Sequence, residues 1–210
     1  MQRFFITILA FMSLLIVAKS AFAEDAPKYS NMPAGIYKLD PAHASLVWKV
    51  SHMGLSDYTA RFTNFDAEID FDPSAPEKSM VTATINPMSV KTDYPFSDKK
   101  DFDKKLSTGA EWFNAGEFPK ITFKSTKIML DDAQSGKMTG DLTFLGVTKP
   151  VTLDVTFNGA FEKQPFTGKP TVGFSAKGLM KRSEWGFATY VPNIGDEVAL
   201  HLEVEFAQDN

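Results

Sequence analysis

The sequence contains no cysteine, and only 3 of its 210 residues are histidine. Without cysteine the chain cannot form a disulfide, and zinc sites built from four cysteines, or from two cysteines and two histidines, are excluded. If the chain is exported, the hydrophobic core alone must therefore stabilise the fold.

Basic residues are outnumbered and form no run. The chain has 22 lysines and arginines against 26 acidic residues, which gives a formal net charge of −4. An acidic chain without a basic cluster has no electrostatic attraction to nucleic acid or to an anionic membrane surface. We therefore expect no nucleic-acid partner.

The N-terminal stretch has the layout of a secretory signal peptide. Arg3 supplies the basic start, residues 4–18 form an apolar run, and Ala21 and Ala23 give a small-x-small cleavage site. The apolar run is shorter than the roughly 20 residues that span a bilayer, so a cleavable signal is favoured over a stable membrane anchor. A periplasmic location is expected, with full secretion left open. The predicted organisation is a signal peptide at 1–23, a flexible lead-in at 24–33 and one lipid-binding β-barrel domain at 34–208.

Alternation of apolar and polar residues dominates the rest of the chain. It occurs twice within residues 136–161, once through Leu142 and Phe144 and again from Val151 onward, with residues 146–150 predicted as the turn. A period of two places alternate side chains on opposite faces of a strand, so this stretch is predicted to be an antiparallel hairpin. Similar runs along the chain give about eight strands, which predicts an all-β barrel or sandwich.

One break in the alternation indicates a bulge. Phe62 and Phe65 are out of phase by one residue within a long predicted strand, residues 58–71. An extra residue in one strand of an antiparallel pair produces this shift.

One helix is predicted near the middle of the chain. Ser97 is the expected N-cap, Phe102 and Leu106 lie four residues apart on one face, and Gly109 ends the helix.

Four groups of residues, spread over residues 35–207, carry a resemblance to a known protein family. They are Tyr37, Asp40 and His43 followed by Leu46, Trp48, Val50 and His52; Trp112-Phe113-Asn114 with Phe118-Pro119-x-Ile121-x-Phe123; Gly140-Asp141-Leu142-Thr143 with Gly146-Val147-Thr148-Lys149-Pro150-Val151; and Arg182-Ser183-x-x-Gly186 with Gly195-Asp196-Glu197-Val198. Together they resemble the YceI family, the polyisoprenoid-binding, lipocalin-like proteins of bacteria. The third group, a hairpin, is the most specific part of the resemblance.

The resemblance implies an elongated, lipocalin-like antiparallel β-barrel. It also implies that the barrel holds a long apolar chain, such as an isoprenoid quinone, in a central pocket. Two positions depart from the family pattern, since Ala44 stands where serine is frequent and Leu145 where histidine is frequent. Leu145 is expected to make its end of the site more apolar.

The phenylalanines on the apolar faces of the predicted strands fit either a solid core or the wall of a pocket. An eight-stranded barrel can fill its interior or keep room for one ligand, and the resemblance favours the open interior. One elongated apolar cavity is therefore predicted, lined by Leu46, Trp48, Val50, Phe62, Phe123, Leu142, Phe144, Phe157 and Phe174.

His52 and Arg182 are the predicted polar contacts to a ligand head group. For His52 the alternative is a hydrogen bond within the core, and for Arg182 it is an ion pair with an acidic residue such as Asp40 or Glu184. His43 and His52 lie too far apart in sequence for a recognised metal-binding motif. No catalytic residue, metal ligand or cofactor is predicted.

The predicted function is a binding or carrier protein for a long-chain isoprenoid or related amphiphilic lipid, not an enzyme. Two alternatives stay open. An enzyme acting on a lipid-like substrate would need a nucleophile and a base together in the pocket. A closed-core interaction or stress protein would hold no lipid. The sequence leaves the ligand's identity open, and it leaves a homodimer open as well.

Overall fold

The computed structural model describes residues 29–209. They form ten strands and one α-helix, α1 (Phe102–Thr108). The strands are β1 (Gly35–His52), β2 (Ser56–Phe62), β3 (Phe65–Phe71), β4 (Met80–Ile85), β5 (Val90–Lys91), β6 (Ile121–Leu130), β7 (Ser135–Phe144), β8 (Val147–Phe161), β9 (Thr171–Lys181) and β10 (Ile194–Ala207). Short 3₁₀ turns lie at Tyr29–Asn31, Pro76–Lys78, Pro87–Ser89 and Arg182–Trp185. No helix within the described range is long and apolar enough to cross a membrane.

The strands form one antiparallel sheet that closes on itself. Neighbours follow the order β10-β9-β8-β7-β6-β4-β3-β1-β2-β5, and β10 also pairs with β1. β2 and β3 lie end to end along the same edge of β1, while β5 and β4 pair with β2 and β3 respectively. The segments therefore make the closed eight-stranded barrel that the sequence predicted.

The bulge predicted between Phe62 and Phe65 is instead a break in the predicted strand, because Thr63 and Asn64 separate β2 from β3. Their amides do not stay unpaired. Thr63 N donates to Ser89 O at 3.1 Å, and Asn64 N donates to Ser89 Oγ at 3.0 Å. The link between β4 and β5 thus satisfies the backbone where the strand bends.

β7 and β8 form the predicted hairpin, but the turn is shorter than predicted. Leu145 and Gly146 alone connect the strands, with φ values of 48° and 74°. Positive φ at both central residues is the type I′ geometry, whose twist matches that of the flanking strands. β8 therefore begins at Val147 and continues through Pro150, which lies opposite Asp141.

α1 begins later than predicted. Asp101, not Ser97, is the N-cap, since its carboxylate accepts a hydrogen bond from Lys104 N at 2.8 Å. Gly109 follows the helix as predicted, and its amide donates to Lys105 O at 3.0 Å. The apolar face of α1 packs inward through buried Leu106.

The inward faces of the strands form two hydrophobic clusters. The larger includes Phe62, Phe113 and Trp185, and the smaller includes Tyr37 and Phe206. Residues of the larger cluster line one cavity of the barrel interior, and residues of both clusters line another.

Candidate functional site

Residues 29–209 enclose a large and a small cavity inside the barrel. The large cavity has a volume of about 670 Å³ and the small cavity about 220 Å³. Small-molecule sites typically span roughly 300–1,000 Å³, so the large cavity alone has the size of a ligand site. Four apolar side chains line both cavities and form a constriction that we call the waist: Leu46 of β1, Ile85 of β4, Leu142 of β7 and Leu200 of β10.

Every residue predicted to line a pocket lies on a cavity wall. The large cavity is lined by Leu46, Trp48, Val50, His52, Phe62, Leu142, Phe144 and Arg182. The small cavity is lined by Leu46, Phe123, Leu142, Phe157 and Phe174. In place of the single elongated cavity that was predicted, the structure has a large and a small cavity that adjoin at the waist residues.

Sequence reasoning missed the wall that comes from α1 and the loops. These additional residues of the large cavity include Phe102, Leu106, Trp112, Phe113, Phe187 and Tyr190. Several form an edge-to-face cluster, with ring centroids of Phe113 and Phe144 5.9 Å apart and those of Trp112 and Phe187 5.8 Å apart. The apolar face of α1 was the signal in the sequence that could have placed this helix over the barrel interior.

The large cavity reaches solvent where three segments meet, an opening that we call the mouth. Residues that are exposed and also line the cavity are Met53 of the β1–β2 turn, Lys100 before α1, and Tyr190 and Asn193 before β10. Met53 N donates to Asn193 O at 2.7 Å, which ties two of these segments together. The cavity is therefore accessible at one end of the barrel.

Three buried polar atoms on the wall of the large cavity have no hydrogen-bond partner in the described part of the chain: Trp48 Nε1, Tyr58 Oη and Trp112 Nε1. Burial raises the pKa of the Tyr58 phenol, and the neighbouring Thr92 hydroxyl offsets part of that rise. Thr92 Oγ1 itself donates to Asp103 at 2.6 Å.

The remaining tryptophan differs. Trp185 is only 2% exposed, lines neither cavity, and donates from Nε1 to Leu142 O at 3.0 Å. Buried donors are normally paired, because an unpaired one loses its hydrogen bonds to water without replacement. Both tryptophans without a partner line the large cavity, whereas the paired Trp185 lines neither cavity.

Arg182 is 3% exposed and ties the segment after it to the barrel. Its guanidinium and Nε donate to four main-chain carbonyls at 2.8–2.9 Å, those of Phe187, Thr189, Ile194 and Gly195. The alternative of an ion pair with Asp40 or Glu184 is wrong.

Burial lowers the pKa of Arg182, and the charge of Asp196 opposes that shift. Ser183 holds Asp196 in place by donating to it from N at 2.9 Å and from Oγ at 2.8 Å. Most N–H groups of Arg182 are thus engaged by the protein, so its main contribution to the site is to shape the mouth.

The small cavity lies beyond the waist and is almost entirely apolar. It opens beside the β6–β7 turn, where Asp132, Gln134 and Lys137 contribute to its edge. Tyr29 packs edge-on against Phe157 there, with ring centroids 5.3 Å apart. Leu145, expected to make one end of the site more apolar, lines neither cavity and packs against the larger hydrophobic cluster instead.

A polar cluster lies outside both cavities. Asp40, His43 and Glu205 bring their ligand-type atoms within 4.8 Å of one another. Asp40 accepts hydrogen bonds from Ala42 N at 2.9 Å and His43 Nδ1 at 2.8 Å, which raises the pKa of His43 and lowers that of Asp40. These residues close the bulge between Leu39 and Ala44, where β1 pairs irregularly with β10. The position of His43 is therefore accounted for by its hydrogen bond within the β1 bulge.

The chain is similar to known proteins in both sequence and structure. The YceI-like domain matches residues 37–206. Protein YceI of Escherichia coli O17:K52:H18 (strain UMN026 / ExPEC) is 35% identical over 202 residues, which cover 95% of each chain. The Campylobacter jejuni YCEI protein superposes with a TM-score of 0.66 at 34% identity, over 77% of this chain and 91% of that chain.

A more distant structure shares the fold alone. It is a polyisoprenoid binding domain from Saccharophagus degradans, with a TM-score of 0.55 at 11% identity, over 84% of this chain and all of that chain (100%). The domain match and the identity to the E. coli protein both extend across nearly the whole described barrel. The chain therefore belongs to the YceI family.

Proposed function

We propose that this protein binds one long-chain amphiphilic lipid, an isoprenoid or a close relative, inside the barrel and acts as its carrier. The observation that carries the proposal is the large cavity, which combines an apolar wall with unpaired hydrogen-bond donors. The polyisoprenoid binding domain of S. degradans has the same fold, and this supports the class of ligand.

The apolar wall accounts for affinity toward the chain of the lipid. Each methylene moved from water to an apolar site contributes about 0.8 kcal/mol. The Phe62 and Phe144 rings and the waist offer such a site. A lipid that enters through the mouth with its hydrocarbon chain first has the apolar end of that chain directed toward the small cavity.

The unpaired donors account for a polar head group. Trp48 Nε1, Tyr58 Oη and Trp112 Nε1 can each donate to a ligand oxygen. An isoprenoid quinone has carbonyl oxygens that accept such bonds, so a quinone-like lipid is one ligand that suits this wall. His52, also on the wall, is a further polar contact in this proposal.

The composition of the wall supports binding rather than catalysis. His52 is the one imidazole on the large cavity, and the wall includes no serine, threonine, aspartate or glutamate among residues 29–209. Hydrolysis of a lipid-like substrate needs a nucleophile together with a base. The cavity volume in turn disfavours the closed-core alternative.

The proposed carrier works outside the cytoplasm, in the periplasm. The signal peptide predicted at residues 1–23 lies outside the described residues. We expect cleavage between Ala23 and Glu24, because Ala-Phe-Ala follows a short apolar run. Mass spectrometry of the exported protein should give an N-terminus at Glu24, and an intact residue 1–23 segment in that protein would contradict this expectation.

Tryptophan fluorescence tests where the lipid lies. Adding a long-chain isoprenoid quinone should change the emission, because Trp48 and Trp112 line the large cavity and Trp185 does not. Trp48→Phe should reduce the change in part, and Trp48→Phe with Trp112→Phe should remove nearly all of it.

The double variant serves as its own control, since Trp185 remains to report on the fold. A full response from the double variant would place the lipid elsewhere. Native mass spectrometry of protein purified from its own host, followed by gentle lipid extraction, tests the function itself. A protein that carries no lipid and takes up none would refute the carrier.

A further inference from the structure

The charges on the wall of the large cavity are all positive. Lys100, Lys105 and Arg182 line it, and no aspartate or glutamate of the described range does so. The whole chain shows the opposite bias, with 26 acidic residues against 22 basic ones. The wall is therefore a local exception to the composition of the protein.

The two lysine charges lie beside aromatic rings of the cavity. Lys105 Nζ is 5.6 Å from the ring centroid of Trp112, and Lys100 Nζ is 5.1 Å from that of Phe102. Trp112 is 9% exposed and leaves its buried Nε1 unpaired. Its ring also packs 5.9 Å from Tyr190 at the mouth. Lys100 therefore lies at the mouth, and Lys105 lies against Trp112, which contacts Tyr190 of the mouth.

The carboxylates of the same segment are engaged elsewhere. Asp101 caps α1, and Asp103 accepts from Thr92 N at 2.9 Å and from Lys91 Nζ at 3.1 Å. Asp98 is exposed and lies off the cavity wall. Within residues 29–209, neither Lys100 nor Lys105 forms a salt bridge. Both lysines are therefore free to meet a charge supplied from outside the chain.

From this arrangement we infer that the head group of the bound lipid is an anion, a phosphate or a carboxylate, held at the mouth by Lys100, Lys105 and Trp112 Nε1. The inference rests on the proposed function and narrows its ligand class. Hydrogen bonds from ammonium groups to an anion are about twice as strong as those between neutral groups. A neutral quinone head would satisfy the Trp112 N–H and leave both lysine charges without a counter-charge.

Chain-matched lipids test the charge of the head group. Farnesyl phosphate is compared with farnesol, and palmitate with palmitamide, by titration into the purified protein at low salt. The wild-type protein should bind the anion of each pair about tenfold to a hundredfold more tightly, the range expected of one or two charge-assisted hydrogen bonds. Raising the salt concentration should reduce this preference, because part of the site is exposed. The lipid pair with the larger difference in affinity between anion and neutral form identifies phosphate or carboxylate as the preferred head group.

Two double variants locate the effect. Lys100→Gln with Lys105→Gln should remove most of the preference, measured within that variant as the ratio of its affinities for farnesyl phosphate and farnesol. Lys99→Gln with Lys104→Gln removes the same charge from the same segment, but neither residue lines the cavity, so the preference should stay. Circular dichroism melts check that both variants fold.

Equal affinity of the wild-type protein for farnesyl phosphate and farnesol, and for palmitate and palmitamide, would overturn the inference and leave the proposed function standing. An anion preference that survives Lys100→Gln with Lys105→Gln would overturn the assignment of the lysines. If no lipid of either pair binds, the proposed function fails and the inference fails with it.

Discussion

Replacing Arg182 with methionine should lower the free energy of unfolding by about 3–5 kcal/mol, the loss expected when the charged partner of several buried polar groups is removed. Methionine keeps much of the apolar stem of arginine, so the loss isolates the polar contacts. Four carbonyls, from Phe187 to Gly195, lose their donor at once. Urea unfolding followed by far-ultraviolet circular dichroism measures the change.

Arg61→Met is the matched control. Arg61 is half exposed and pairs with Asp93 at 3.1 Å on the surface. Exposed ion pairs contribute about 0–1 kcal/mol, so this variant should unfold close to the wild-type midpoint. Equal effects of the two substitutions would mean that the Arg182 hydrogen bonds contribute no more than a surface pair.

Arg182→Met should also weaken lipid binding, because the segment that it anchors forms part of the mouth. Tyr190, Asn193 and Ile194 line the large cavity from this segment. Arg182 helps to hold these residues in position, because it donates to the carbonyls of Thr189 and Ile194 in the same segment. Binding should fall even under conditions where the variant remains folded.

Much of the barrel could be predicted from local patterns. Alternation with a period of two depends only on neighbours in sequence, and it placed Phe144 and Phe157 on inward faces correctly. The break after Phe62 was equally local, because a phase shift is visible within a few residues. These features need no knowledge of which strand lies beside which.

The waist could not be predicted in the same way. Leu46, Ile85, Leu142 and Leu200 belong to strands far apart in sequence, and only the register across the closed sheet brings all four to the walls of both cavities. Leu200 lies opposite Trp48 of β1 and Gly178 of β9. Alternation specifies the face of each residue but not its height along the barrel, so the sequence suggested one cavity where the structure has two.

The hydrogen-bond partners of Arg182 could not be predicted from the sequence for a different reason. They are backbone carbonyls, which every residue possesses, and they come from a segment with no periodic pattern. The sequence therefore suggested side-chain carboxylates, such as that of Asp40, as the partners of Arg182. The positive charge on the cavity wall could not be predicted either, because Lys100 precedes α1, Lys105 lies within it, and the two form no basic run in an acidic chain.

Filling the waist should limit the length of chain that the barrel accepts. Leu200→Trp adds a large ring between the two cavities, so an isoprenoid should no longer extend from the large cavity into the small one. Part of the added ring can occupy cavity space, and the stability cost should stay at about 1–3 kcal/mol or below.

A series of isoprenols measures this effect. In the wild-type protein, affinity should rise from farnesol through geranylgeraniol to longer chains, since each further methylene buried contributes about 0.8 kcal/mol. In Leu200→Trp the rise should stop once the chain fills the large cavity. The longest chains should then bind about a hundredfold more weakly than to the wild-type protein, the equivalent of less than one buried isoprene unit.

His201→Trp is the control, because it places the same ring on the adjacent residue, which lines neither cavity. Its dependence of affinity on chain length should match that of the wild-type protein. If Leu200→Trp binds long and short isoprenols as the wild-type protein does, the chain does not pass the waist. The small cavity would then be a packing defect of the barrel, and the large cavity would hold the whole ligand.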